Sequence, residues 1–266
     1  MLKLLRIDLL KLANYKAFWV LNGLYALLIV GIPAGVIEFL KWLKSAGAEF
    51  DGFDPMKIPI LHFPDIWQNI TYVYTFLKVF LAIIIVISIS NEFTYKTVRQ
   101  NIIDGMSRLD FLKSKLLTIL MVSMGSAVLV FLTGLITGAL YTPDMAFADM
   151  FSEIEFVFAY FLDLFAFLTF SFLLTVILKR SALTVFILLI YRPVEWIIII
   201  NLPTAIEGIG QYFPLQAMSN MIEVPFPKYI FQEINDDVNT TMVGVVIAWI
   251  CLFVYAIYAK LKSSDL

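Results

Sequence analysis

Apolar residues in this chain gather in long runs, not in the short alternations of strands or the narrow stripes of soluble helices. The runs cover about residues 17–40, 70–90, 112–141, 153–178, 181–200 and 240–259, and polar, turn-rich segments separate them. A helix rises about 1.5 Å per residue, so roughly 20 apolar residues cross the ~30 Å hydrocarbon layer of a bilayer. The pattern predicts an all-α integral membrane protein, a single transmembrane domain over residues 1–266 with six transmembrane helices. Residues 1–16 read differently. Leu2, Leu5, Leu9 and Leu12 recur at helical spacing, with Lys3, Arg6, Lys11 and Asn14 mostly opposite. That suits an N-terminal amphipathic helix lying in the membrane interface. The interleaved charges, with no small-residue cleavage pattern after them, predict that it is not a cleavable signal.

Finer features refine the six runs. Gly31 and Gly35 form a GxxxG pair in the first, and Gly134 and Gly138 form another in the third. Such pairs can admit close helix packing, although Pro33 between the first two equally predicts a kink. Residues 41–68 hold Asp51-Gly52, Asp54-Pro55, Pro59 and Pro64, and predict a loop with room for one short helix. Ser107 with Asp110, and Ser152 with Glu155, have capping-box spacing and predict the starts of the third and fourth helices. Residues 201–239 carry Pro203, Pro214, Pro225 and Pro227, yet are too apolar for a simple exposed loop. Ile206, Ile209, Leu215, Met218 and Ile222 suit short re-entrant helices before the last crossing, or a small cap packed on the outer surface.

Composition strengthens the membrane assignment. The chain is 61% hydrophobic and 15% charged, against about half and a quarter in soluble domains. The net charge of −2 is less informative than its distribution. Thirteen of the nineteen Lys and Arg residues fall in the N-terminal flank, the second-to-third loop, the Lys179-Arg180 turn and the C-terminal tail. The opposite loops hold only Lys41, Lys44, Lys57 and Lys228. They are acidic at Glu49, Asp51, Asp54, Asp65, Asp144, Asp149, Glu207, Glu223, Glu233, Asp236 and Asp237. The positive-inside bias predicts a multi-pass protein of the cell inner membrane with both termini cytoplasmic.

Four charges lie well inside the runs, away from their ends: Lys78, Asp163, Arg192 and Glu195. A charge at the centre of a crossing costs roughly 2.5–3.5 kcal/mol on insertion scales, so each should pair or face water. Arg192 and Glu195 are three apart on one helix face and can pair locally. Asp163 can take either Arg192 or Lys78 across helices, and Pro193 predicts a bend. These charges either lock helices together or line a substrate path or dimer seam.

Catalytic chemistry is poorly represented. The chain has no GxxxxGK[ST] phosphate loop, no HExxH and no GxSxG. His62 stands alone in a polar segment and Cys251 alone in an apolar run, so neither a metal site nor an intrachain disulfide is expected. Sequons at Asn69 and Asn239 are common chance matches.

The stretch Glu92–Lys115 separates the second and third runs and carries five of the basic residues. Tyr95, Val98 and Ile102 fall at i, i+3, i+7, the spacing of one helix face, with Lys96, Arg99 and Gln100 elsewhere. Gly105 can take the left-handed geometry that ends a helix, and Ser107 restarts one. The prediction is a short helix lying across the membrane over about 92–106. Its apolar stripe with basic flanks suits a groove on a soluble protein or the anionic inner leaflet.

This stretch resembles the motif of ABC transporter permease subunits of the ABC-2 exporter type. The matching residues are Glu92, Thr97, Arg99, Gly105, Ser107, Arg108 and Lys115. Lys96 stands where that family often has Gly, and Gly105-Met106 where it often has Pro. The six crossings, the interface helix and the long segment before the last crossing extend the resemblance over nearly the whole chain. It implies a coupling helix that docks on a separate ABC ATPase, with Glu92, Tyr95, Val98, Arg99, Ile102, Gly105 and Arg108 at or near the contact. It implies that ATP and Mg are bound by that partner and not by this chain, which is not itself an enzyme. A second permease copy or paralogue and the lipid membrane complete the implied partners, with no nucleic acid. It also implies that the outer segment is a re-entrant gate. The alternatives are a secondary transporter or channel, which needs no docking helix, and a membrane anchor subunit of a complex.

Overall fold

A computed structural model describes residues 2–46, 58–143, 147–230 and 237–263. Every regular element among them is helical: α1 (Leu2–Ala13), α2 (Lys16–Ser45), α3 (Ile66–Thr75), α4 (Lys78–Thr94), α5 (Thr97–Ile103), α6 (Arg108–Tyr141), α7 (Glu155–Leu178), α8 (Ser181–Ile200), α9 (Pro214–Ser219) and α10 (Thr240–Ser263). Short 3-10 turns occupy Glu207–Tyr212 and Phe226–Ile230. Five helices are long and apolar enough to cross a membrane, and α3 with α4 makes a sixth if that bent pair is one span. The chain is a multi-pass, all-α membrane protein. The predicted turns at Asp51-Gly52 and Asp54-Pro55, together with Glu49, Lys57, Asp144, Glu233 and Asp236, lie outside the described residues.

Helix α7 is the central pillar. Its most apolar stretch is 61% buried, against 17–22% for α2, α8 and α10. It packs against α3, α4, α6, α8, α9 and α10. Side chains such as Phe156, Tyr160, Leu164, Leu168 and Phe172 are therefore removed from the surface, while Phe158 and Ile177 stay exposed. A helix apolar all round is what a central position in a bundle requires.

The second crossing departs from expectation. It begins at Ile66 and breaks at Phe76-Leu77, where α3 and α4 are bent by 42°. Neither Pro nor Gly stands at the break, and tertiary anchors flank it. Tyr74 donates its hydroxyl to the Ile29 carbonyl at 2.6 Å, and Lys78 is held by Asp163. By contrast, α2 and α8 run unbroken through Pro33 and Pro193.

The two GxxxG pairs behave oppositely. A Cβ on Gly134 would lie 2.6 Å from the Trp67 ring, and one on Gly138 would collide with Phe63. Glycine is what lets α3 and its approach lie against α6, where Trp67 stacks on Phe131 with ring centres 5.6 Å apart. Gly31 and Gly35 face open space, so that pair makes no close helix contact within the chain. The predicted capping box at Ser152 is not formed. Helix α7 starts later, at Glu155, and the Ser152 hydroxyl donates to the Asp149 carbonyl.

A second set of ties is made of hydroxyls. Tyr25, Ser126 and Tyr160 meet in the interior and join α2, α6 and α7. Tyr25 and Tyr160 are 2.5 Å apart, Ser126 and Tyr160 2.9 Å, and Tyr25 also bonds Ser126. At one end of the bundle, Asn69 donates to the Ile60 carbonyl and to the Tyr229 oxygen. Lys228 pairs with Asp65 there at 2.9 Å. Burial pushes the Tyr229 phenol up, which keeps it a neutral donor toward Asp65. Asn69 is itself buried, so its sequon is closed in the folded chain.

Candidate functional site: a hook and its buried joint

The other end of the bundle collects α1, the last turn of α4, α5, the start of α6 and the last turn of α10. The region predicted as one helix over 92–106 is two. Helix α4 continues to Thr94, and Lys96 then takes the left-handed conformation, φ 55°. Helix α5 begins at Thr97, whose hydroxyl donates back to the Glu92 carbonyl at 3.2 Å. It ends in a Schellman motif: Met106 N–H bonds the Asn101 carbonyl, Gly105 N–H bonds the Ile102 carbonyl, and Gly105 has φ 99°. Ser107 then caps α6, accepting from the Asp110 N–H at 3.0 Å and donating to the Asp110 carboxylate at 2.6 Å. The break at Gly105 and the restart at Ser107 therefore fall where the sequence expects them.

The apolar stripe does not. Because Lys96 interrupts the helix, Tyr95 precedes α5 and does not share a face with Val98 and Ile102. Tyr95 is 73% exposed, Val98 is 2% exposed, and Ile102 packs against the core. Val98 and Ile102 fasten the hook to the bundle. Its open side presents Tyr95, Lys96, Arg99, Gln100, Ile103 and Gly105. Ile103, which the sequence reading did not single out, is 69% exposed.

Beneath the hook lies a cluster of four charges. Lys115 Nζ contacts Asp8 at 2.7 Å and Glu92 at 2.8 Å, and Lys11 reaches the same Glu92 oxygen at 3.1 Å. Ser114 donates to the other oxygen of Asp8 at 2.6 Å. Asp8, Glu92 and Lys115 are all buried. Each carboxylate therefore meets a cation and each buried ammonium a carboxylate, the condition for holding charge out of water. The cluster ties three elements, α1, α4 and α6, directly below the point where α5 leaves α4. Glu92 is an internal joint in this geometry and offers no side chain to a docking surface. Arg108 is also engaged inside the chain, donating to the Leu261 carbonyl at 2.8 Å and to that of Lys262. A cation at the end of α10 opposes its helix dipole favourably. Lys179, left-handed with φ 55°, closes α7 and stands over the Phe93 ring. Lys96, Arg99 and Lys179 line a cavity of about 230 Å³ beside Glu92.

The intramembrane charges pair within the bundle. Asp163 is fully buried on α7 and takes Lys78 of α4 in a forked contact, 2.7 and 3.0 Å. Arg192 pairs along α8 with Glu195 at 3.5 Å, the looser contact of the two. The other oxygen of Glu195 accepts the Leu215 N–H at 3.0 Å, at the start of α9. That bond holds the buried residues of α9, Leu215, Ala217 and Met218, against α7, α8 and α10.

Residues 39–266 match a family model described as a protein of unknown function, DUF2705. The chain belongs to the DUF2705 family. Among curated proteins none matches it. The DUF2705 match takes in α5, Glu92, Lys115 and all four intramembrane charges, while Asp8 and Lys11 precede it. The DUF2705 joint thus combines two residues inside the matched region with two ahead of it. Among the described residues no group of three or more His, Cys, Asp or Glu is placed to hold a metal.

Proposed function

We propose that this protein is the membrane-spanning permease subunit of an ATP-driven exporter of the ABC-2 type. In this reading the basic end is cytoplasmic, both termini lie there, and α5 is the coupling helix seated on a separate ATPase that binds ATP and Mg. Two permeases, identical or paralogous, pair with two ATPases in the inner membrane. The observation that carries the reading is the joint. A short helix with an open face is fastened to the core through Val98 and Ile102 and follows directly on α4, whose last turn carries the Glu92 of the buried ion cluster that ties α1, α4 and α6. A push on the open face would therefore reach α1, α4 and α6 together. A solvated loop would transmit nothing comparable.

The proposal also assigns residues 201–239 to the outer side, where α9 serves as a re-entrant gate element held by Glu195. Co-expression with an ATPase encoded beside this chain should yield a stable complex whose ATP hydrolysis depends on the permease. Recovery of the permease with no ATPase from such a pairing would contradict the docking role. Topology is tested by cysteine labelling in a Cys251→Ser background. Thr204→Cys should react with an impermeant maleimide from outside the cell and Gln100→Cys should not; the reverse pattern overturns the orientation.

A further inference from the structure

Two cavities meet at Arg192. One, of about 220 Å³, lies between α4, α7, α8 and α9 and is walled chiefly by apolar side chains, among them Phe76, Phe167, Leu188 and Met218. The other, of about 700 Å³, lies toward the end of the bundle that carries residues 201–239. It is largely polar, with Gln211, Gln216, Asn220 and Thr240 on its wall. Tyr72, Arg192, Ser219 and Ile222 border both. The pair therefore forms one continuous recess with an apolar floor, a polar mouth and a guanidinium at the boundary.

The charges around this recess have a definite arrangement. Lys78, on the apolar floor, is neutralised by the forked contact with Asp163. Arg192 is half-exposed, and its carboxylate partner is 3.5 Å away and also accepts from Leu215. A guanidinium has five N–H donors, so Arg192 keeps capacity for a further acceptor. Beyond it, on the polar mouth, stands Asp237. Reading outward, the recess presents an apolar wall, a cation and then an anion.

We infer that this recess binds an amine-bearing phospholipid. The phosphate would sit on Arg192, the first carbons of the acyl chains would lie along the apolar wall, and the headgroup ammonium would point toward Asp237. A guanidinium grips a phosphate through paired, charge-assisted hydrogen bonds, so the phosphate is the natural acceptor at the boundary. The Asp237 carboxylate disfavours a headgroup that is negative overall and favours one that ends in an ammonium. The inference does not rest on the ATPase reading. Binding is measured on this protein alone, so either idea can fail while the other stands.

The test is native mass spectrometry of the purified full chain. It is released from micelles containing equal amounts of phosphatidylethanolamine, phosphatidylglycerol and diacylglycerol. The wild type should retain phosphatidylethanolamine several-fold over phosphatidylglycerol, and diacylglycerol least. Arg192→Gln should lower phosphatidylethanolamine retention about tenfold, the loss expected for one charge-assisted contact, and Arg192→Lys should lower it less. Asp237→Asn should erase the preference over phosphatidylglycerol. Ser219→Trp fills the junction without touching an ion pair, and should lower retention even if Arg192→Gln fails to fold. Inorganic phosphate at millimolar concentration should not displace the lipid. Equal retention of the three lipids by the wild type, or unchanged retention in both Arg192→Gln and Ser219→Trp, would overturn the assignment. Displacement by free phosphate would overturn the lipid part of it.

Discussion

Two of the buried ionic contacts among the described residues differ in kind. At mid-bundle, Lys78 and Asp163 form a closed two-residue pair between α4 and the central α7, away from any exposed short helix. At the basic end, Lys115 serves two carboxylates at once, Glu92 serves two lysines, and the cluster lies directly under the hook. The first is a rivet: it holds two pillars in register, with both carboxylate oxygens of Asp163 on the one ammonium. The second is a joint, because it gathers separate elements around the point where an exposed helix leaves the bundle. Burial alone does not mark a working site. What distinguishes the joint is that it lies directly beneath a short helix whose outer face the protein leaves open.

The comparison can be broken at its stiffest point first. Asp163→Ala leaves Lys78 unpaired within the bundle and should destabilise the protein by about 3–5 kcal/mol, read as a large fall in melting temperature in detergent. The double change Lys78→Met with Asp163→Leu should recover most of that loss, because a packed apolar pair replaces the rivet. If the double variant is as unstable as the single one, the pair has a role beyond locking helices. Next, Gly138→Leu forces a side chain into Phe63 and should cost roughly 1–3 kcal/mol. Gly31→Ala, facing open space in a helix, should be neutral or slightly stabilising in the same thermal assay.

The joint should respond differently. Glu92→Gln keeps the shape and removes the charge, so Lys115 retains only Asp8. We expect a stability loss of about 1–3 kcal/mol and, in the assembled exporter, ATP hydrolysis that no longer drives transport. Normal transport in Glu92→Gln would reduce the joint to a second rivet. The smallest effect should come from the hydroxyl ties: Tyr25→Phe removes one hydrogen-bonding group and should cost about 1 kcal/mol.

Much of the scaffold was legible in the sequence, because hydrophobic run length is a direct reading of helix length. The fifth run was expected at 181–200, where α8 lies, and Gly105 and Ser107 mark the end of α5 and the start of α6. What escaped had a nonlocal cause. The bend at Phe76-Leu77 has no breaker residue and is bracketed by contacts to Ile29 and Asp163. The stripe at Tyr95, Val98 and Ile102 assumed one continuous helix, and a left-handed lysine is not announced by its own side chain. Asp8 and Lys115 lie 107 residues apart, beyond the reach of any local pattern, so Lys115 read as a helix start and not as the centre of a joint. The same separation explains Arg108, which lies inside a recognisable motif yet caps a helix 153 residues later.

The hook's open face bears the central claim. Val98 is buried, so an acidic substitution there would test folding, whereas Ile103 is exposed on the same helix and contributes little to the core. The decisive measurement is co-purification of the partner ATPase with Ile103→Asp, scored beside the melting temperature of the permease itself. The account predicts that the ATPase is lost while the permease keeps its wild-type stability. An ATPase that stays bound to a well-folded Ile103→Asp permease would contradict docking on this face.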